Sequence, residues 1–206
     1  MKTTFFPILF MSTLIINTSA DGMPLTRPAA EILMNVAYGK DAMQSMDIFL
    51  PADRSALKTK SLILLHGGGW NSGSRHSLAA QIDSFKIRLP GYAIFNIDYR
   101  LVKSSVSFSA QENDITTAVD FIAAHSGTYK VNPAKFVLLG VSAGAHLALL
   151  QAYKHTSPKI AAVIDFFGPT DLTGMYNKPW NPIIPHLLES LLGGTPQTNA
   201  DTWQAG

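Results

Sequence analysis

The sequence predicts an α/β fold built on a mostly parallel sheet, with an antiparallel hairpin at its N-terminal side. Three observations carry this. Four apolar runs, "SLILLHG", "GYAIFNIDYR", "KFVLLG" and "IAAVIDFFG", read as strands buried on both faces. Amphipathic stretches separate them in regular alternation, which implies right-handed crossovers. Ahead of them, "NVAYG" and "SMDIFLP" are short alternating segments divided by Gly39-Lys40-Asp41-Ala42, as in a hairpin.

Taken in order, the first buried strand is followed by a helix predicted over about Ser77 to Leu89. Its apolar residues Leu78, Ile82, Phe85 and Leu89 recur at spacings of three and four. A second helix covers about Ala110 to Ala124, with Ile115, Val119 and Ile122 on one face. Asn132-Pro133 punctuates the chain before "KFVLLG", and a third helix runs from about Ala143 to Lys154. Beyond Gly168 the pattern loosens into a turn-rich stretch, the short helix "HLLESLLGG" and "TPQTNADTWQAG". A parallel sheet needs its last strands covered, so the fold is expected to lack its C-terminal strands and last helix.

The chain has 206 residues, 47% hydrophobic and 15% charged, with a formal net charge of +2. These values describe one globular domain and give no basic stripe for nucleic acid. Residues 1–20 carry one lysine, an apolar stretch from Phe5 to Ile16, and small residues before the mature chain; they read as a cleaved signal peptide. The stretch is too short, and too interrupted by Pro7, Ser12 and Thr13, for a stable membrane anchor. The expectation is a secreted or periplasmic domain over residues 21–206. With no cysteine, disulfides and thiol catalysis are excluded. The six histidines are scattered without metal-ligand spacing, and no cofactor motif is present, so neither metal nor cofactor is expected.

The chemistry concentrates in two places. Gly140, Ser142 and Gly144 form G-x-S-x-G between a strand and a helix, where a sharp turn holds the serine strained with its hydroxyl exposed. Alone, the pattern is equally a plain glycine-rich turn; the strand–turn–helix setting sharpens it. A serine attacking a carbonyl places negative charge on the substrate oxygen, which needs preset donors. The N–H of Ala143 opens the helix and is free for this. A second donor must come from backbone without side-chain bulk, and Gly67, Gly68 and Gly69, straight after the first buried strand, fit that need.

His66-Gly67-Gly68-Gly69-Trp70 together with Gly140-Val141-Ser142-Ala143-Gly144 resembles the α/β-hydrolase superfamily, in its esterase/lipase branch of hormone-sensitive-lipase-like and feruloyl-esterase-type enzymes. "NIDYRL" (Asn96 to Leu101) and "FFGPTDL" (Phe166 to Leu172) are also similar to strings of that branch, and the likeness spans about Asn35 to Gly194. It implies an α/β-hydrolase fold, a small-molecule ester substrate, Ser142 as nucleophile, and Gly67, Gly68 and Ala143 as oxyanion donors. It also implies that His66 shapes the glycine loop, supported by Gly69, Gly140 and Gly144, and that Asp98 and Arg100 form a structural pair beneath it.

In this fold the triad runs Ser, acid, His along the chain. After Ser142 only His146, His155 and His186 remain, and each reads as structural. Asp165 and Asp171 follow the strand after the nucleophile helix, whereas the family draws its acid from a later strand. The acid and histidine are therefore expected beyond Gly206, with the chain weakly active or inactive by itself. The same loop and elbow also resemble arylformamidases and prolyl-type peptidases. From another class, the reading is a secreted, non-catalytic binding protein of hydrolase fold. Trp70, Phe108, Tyr176 and Trp180 are candidates for an aromatic pocket, although large aromatics are more often core.

Overall fold

The computed structural model describes residues 27–103 and 106–206, so the signal peptide expected at residues 1–20 lies outside the described residues. Six strands form one sheet: β1 (Glu31–Ala37), β2 (Ser45–Leu50), β3 (Lys60–Leu65), β4 (Tyr92–Ile97), β5 (Phe136–Val141) and β6 (Ile160–Phe166). Their spatial order is β1-β2-β4-β3-β5-β6. The hairpin is confirmed as the antiparallel β1–β2 pair, and β2 joins the rest antiparallel to β4. The remaining pairings, β3–β4, β3–β5 and β5–β6, are parallel. At β6 the outer edge has no partner among the described residues, and Ile164 and Phe166 are exposed there.

The helices are α1 (Ala79–Arg88), α2 (Phe108–Ala124), α3 (Ser126–Tyr129), α4 (Ala143–Lys154), α5 (Leu172–Asn177), α6 (Ile184–Leu192) and α7 (Ala200–Ala205). The helix expected from about Ser77 opens instead with a 3-10 turn over Arg75–Leu78, because a capping box at Ser74 tightens the entry before α1 begins. Ser107 caps α2 by accepting from the Ala110 N–H. Gly193, in the left-handed region at φ 74°, stops α6. None of the helices among the described residues is long and apolar enough to cross a membrane.

Alternation of side chains along each strand divides the apolar runs between two layers. Leu62 and Leu64 of β3, with Ile94 and Leu139, face Leu78 and Ile82, so the α1 side covers that face. Ile63 and Leu65, with Phe95, Ile97 and Leu138, face the larger cluster that includes Ile115 and Val119 of α2 and Leu147 of α4. Burying β3 on both faces at about 25 cal/mol per Å² of apolar surface makes it the mechanical centre of the sheet. Register then aligns the strand ends: Leu65 pairs with Ile97 and Gly140, and Gly140 with Asp165. The loops leaving those ends form one cluster at the carboxyl edge of the parallel strands, where open α/β sheets bind ligands.

Candidate active site

Ser142 sits where β5 gives way to α4. Its backbone is at φ 53°, ψ −119°, a left-handed conformation that disfavours a side chain, so the sharp turn expected from G-x-S-x-G is present as backbone strain. Three backbone bonds hold it: the Ser142 N–H donates to the Phe166 carbonyl at 2.7 Å, and its own carbonyl accepts from the N–H groups of Ala145 at 2.9 Å and His146 at 3.1 Å. The N–H of Ala143 opens α4 and donates to no protein acceptor among the described residues, as the first N–H of a helix does.

The glycine loop presses directly on this turn. A Cβ at Gly67 would stand 2.8 Å from the Val141 carbonyl oxygen and 3.3 Å from Cβ of Ser142. At Gly144 it would meet the carbonyl oxygens of His66 and Leu65 at 2.3 and 2.4 Å. Loop and elbow are thus in backbone contact that only side-chain-free residues permit. Gly68, at φ 128°, turns the loop, and its carbonyl accepts from the Ser72 N–H at 3.0 Å and the Ser72 hydroxyl at 2.7 Å. The N–H groups of Gly67 and Gly68 have no protein acceptor among the described residues.

The end of β4 supports the loop from below. Tyr99 donates its hydroxyl to the His66 carbonyl at 2.6 Å and stacks on the imidazole with ring centroids 4.3 Å apart. His66 Nδ1–H donates to the Gly67 carbonyl at 2.8 Å, and burial holds the imidazole below its ordinary pKa against the opposing pull of that bond and of Asp98. His66 is fully buried and makes no hydrogen bond to Ser142. The Trp70 carbonyl accepts from Gln111 Nε2 at 2.7 Å and from the Val102 N–H at 2.9 Å.

The expected Asp98–Arg100 pair does not form. Residues two apart on extended chain are separated by roughly 7 Å, and each has a nearer partner of opposite charge. Asp98 accepts from the buried guanidinium of Arg75, which also lies 2.9 Å from Asp47. Arg100 donates Nη2 at 2.6 Å and Nε at 2.9 Å to Asp114 on α2. Asn96 adds a bond from Nδ2 to the Arg75 carbonyl at 2.8 Å. Both residues are structural, but they anchor different ends of the loop region.

The remaining histidines point to packing. His146 lies between Phe108 and Trp70, donates Nε2–H to the Gly206 carbonyl at 2.6 Å, and is held below its ordinary pKa by burial. His155 follows α4 and meets the Thr116 hydroxyl at 3.3 Å, while His186 is exposed beside Glu189. Asp165 accepts from Gly168 and Asp171 from Gly174, each at 2.7 Å, so both carboxylates cap local turns. No group of three or more metal-ligating side chains gathers among the described residues.

Ser142 opens into a cavity of about 330 Å³, walled by Trp70, Phe167, Met175, Trp180, Ile184 and Leu187. That volume lies at the small end of ligand pockets. Of the four aromatic candidates, Trp70 is both core and cavity wall, Phe108 is core, and Tyr176 packs edge-on against Trp203. Trp180 is 74% exposed at the rim.

The BD-FAE family model matches residues 46–206. The chain belongs to the BD-FAE family. This BD-FAE chain is 27% identical over 159 residues to a probable isoprenylcysteine alpha-carbonyl methylesterase of Oryza sativa subsp. japonica, covering 72% of the chain and 36% of that protein. It is 24% identical over 177 residues to the probable carboxylic ester hydrolase LipM of Mycobacterium tuberculosis, covering 80% of the chain and 40% of that protein. Esterase B of Lactobacillus rhamnosis superposes with a TM-score of 0.70 at 21% identity, over 84% of this chain and 59% of that one. Together these place the BD-FAE chain in the α/β-hydrolase fold and its esterase/lipase branch. It spans well under half the length of those two sequence relatives.

Proposed function

We propose that this chain carries the nucleophile and charge-stabilising half of a serine carboxylesterase. Ser142 Oγ attacks the ester carbonyl and forms an acyl-enzyme with loss of the alcohol; water then releases the acid. The developing oxyanion is taken by N–H groups of Ala143 and of Gly67 or Gly68, which cost no reorganisation because the backbone already presents them. The observation that carries this reading is the close packing of Gly67 on the Val141–Ser142 turn, where a strained serine and N–H groups without protein acceptors belong to adjoining segments.

General-base work is the missing part. Among the described residues no histidine side chain hydrogen-bonds Ser142, and the imidazoles of His66, His146 and His155 are engaged elsewhere. A serine with donors but no base retains only a small fraction of full catalysis. The test is hydrolysis of p-nitrophenyl acetate and labelling by a fluorophosphonate, each with wild type and Ser142→Ala. Slow, Ser142-dependent labelling with weak turnover is expected. Labelling that persists in Ser142→Ala overturns the assignment of the nucleophile, and rapid Ser142-dependent turnover overturns the absence of a base. Residues 1–20 are proposed as an export signal, which the N-terminal sequence of the exported protein checks.

A further inference from the structure

A second cavity, of about 510 Å³, borders the same glycine loop at Gly68 and Gly69, with Asn71, Ser72, His186 and Ser190 in its walls. It does not reach Ser142. The two cavities share two residues, Gly69 and Leu187. Gly69 contributes only backbone, so the side chain that separates them is that of Leu187, on α6. Its methyls stand 3.6 and 3.8 Å from where a Cβ on Gly69 would be, which is ordinary van der Waals contact across the gap. Leu187 is partly buried and rests against the main core, which limits its freedom to swing aside.

We propose that Leu187 is a specificity-determining residue of the Ser142 site: it closes the cavity beside Ser142 against the larger one and so sets the length of the apolar group held there. The proposal rests on the ester-hydrolase reading for its biological meaning, but not for its geometry. A linear group entering beside Ser142 fills the 330 Å³ space and stops at the Leu187 methyls. Truncation at Leu187 removes those methyls and joins the two spaces, while a bulkier residue thickens the wall.

The test uses neutral methyl ketones, which carry a carbonyl and a chain but cannot be hydrolysed. Dissociation constants for 2-octanone and 2-dodecanone are measured by tryptophan fluorescence, since Trp70 and Trp180 both line the cavity. In wild type the four extra methylenes are expected to add little affinity. In Leu187→Ala the preference for 2-dodecanone over 2-octanone rises at least about tenfold, well within what four newly buried methylenes supply. Leu187→Phe shifts it the other way. Loss of packing alone would weaken both ligands together and leave their ratio alone, so an unchanged ratio in folded Leu187→Ala overturns the proposal. Should that variant fail to fold, Leu187→Val and Leu187→Phe decide it, and an unchanged ratio in both overturns it equally. Phosphonate labelling of Ser142 is measured alongside. A ratio that moves without any labelling removes the hydrolase reading and supports Leu187 as the wall; labelling with a fixed ratio does the reverse.

Discussion

Tyr99 holds His66 twice over, by a 2.6 Å hydrogen bond to its carbonyl and by a ring stack at 4.3 Å with planes 6° apart. Both groups are buried, and His66 immediately precedes Gly67, which packs on the Val141–Ser142 turn. The relation ties the end of β4 to the loop after β3, two strands that are neighbours in the sheet.

Tyr99→Phe keeps the stack and deletes the hydroxyl, leaving the His66 carbonyl unpaired in the interior. A loss of about 1–3 kcal/mol in urea unfolding is expected. Slower phosphonate labelling of Ser142 should accompany it, because the proposed oxyanion donors of the loop lose their fixed position. A variant as stable as wild type would show that the hydrogen bond is dispensable.

Gly144→Ala drives a methyl group to 2.3 Å from the His66 carbonyl oxygen, with backbone on both sides and no flexible side chain to yield. Destabilisation above about 3 kcal/mol, or failure to accumulate folded protein, is expected. Gly91→Ala is the matched control, since a Cβ there meets nothing within 4 Å. It should be neutral or stabilising by up to about 1 kcal/mol. Thermal melting of the two variants checks the contrast.

Ser142→Gly relieves the φ 53° strain while removing the proposed nucleophile. The variant should be more stable by about 1 kcal/mol, near the lower end of what such a conformation stores, and should not label. Ser142→Ala loses labelling without that gain, because alanine is as strained there as serine. Equal denaturation midpoints for the Gly and Ala variants would argue that the elbow stores no strain.

Asp98→Asn removes one charge from the buried Arg75 cluster, leaving the guanidinium under-compensated beside Asp47. Breaking a buried pair in this way costs about 3–5 kcal/mol. Arg100→Gln leaves the fully buried Asp114 carboxylate without its cation and with Gln44 Nε2 as a remaining side-chain donor, and should cost a similar amount. Chemical denaturation of both variants ranks the two anchors.

Stability should fall as pH drops below about 6.5. Burial depresses the folded-state pKa of both His66 and His146, so between the unfolded value and the lower folded value the unfolded chain binds protons that the native chain does not. Above that window both states are neutral at these rings and the dependence vanishes. Each histidine contributes a slope of at most about 1.4 kcal/mol per pH unit. Urea midpoints from pH 7.5 to pH 5 measure it, and His146→Phe should reduce the slope.

Much of the fold was legible because it rests on local pattern. The four apolar runs and the third helix sit where the sequence puts them, and G-x-S-x-G marks the β5–α4 turn. The 3-10 opening before α1, the short α5 and α7, and Arg75 as the partner of Asp98 were not legible. Short helices carry too few turns to show a period, and Arg75 meets residues 23 and 28 positions away for which it bears no local mark.

The sequence by itself determined that two stretches poor in side chains flank strand ends, and that one of them carries a serine. Periodicity and glycine placement are local properties, and they suffice for that. Only the tertiary structure decided that Gly67 packs against the Val141–Ser142 turn with no room for a side chain, that Asp98 and Arg100 serve different partners, and that Leu187 stands between two cavities. Those facts depend on sheet order and register, which bring residues far apart in the chain, such as Leu65 and Gly140, side by side, and no local propensity encodes such distances.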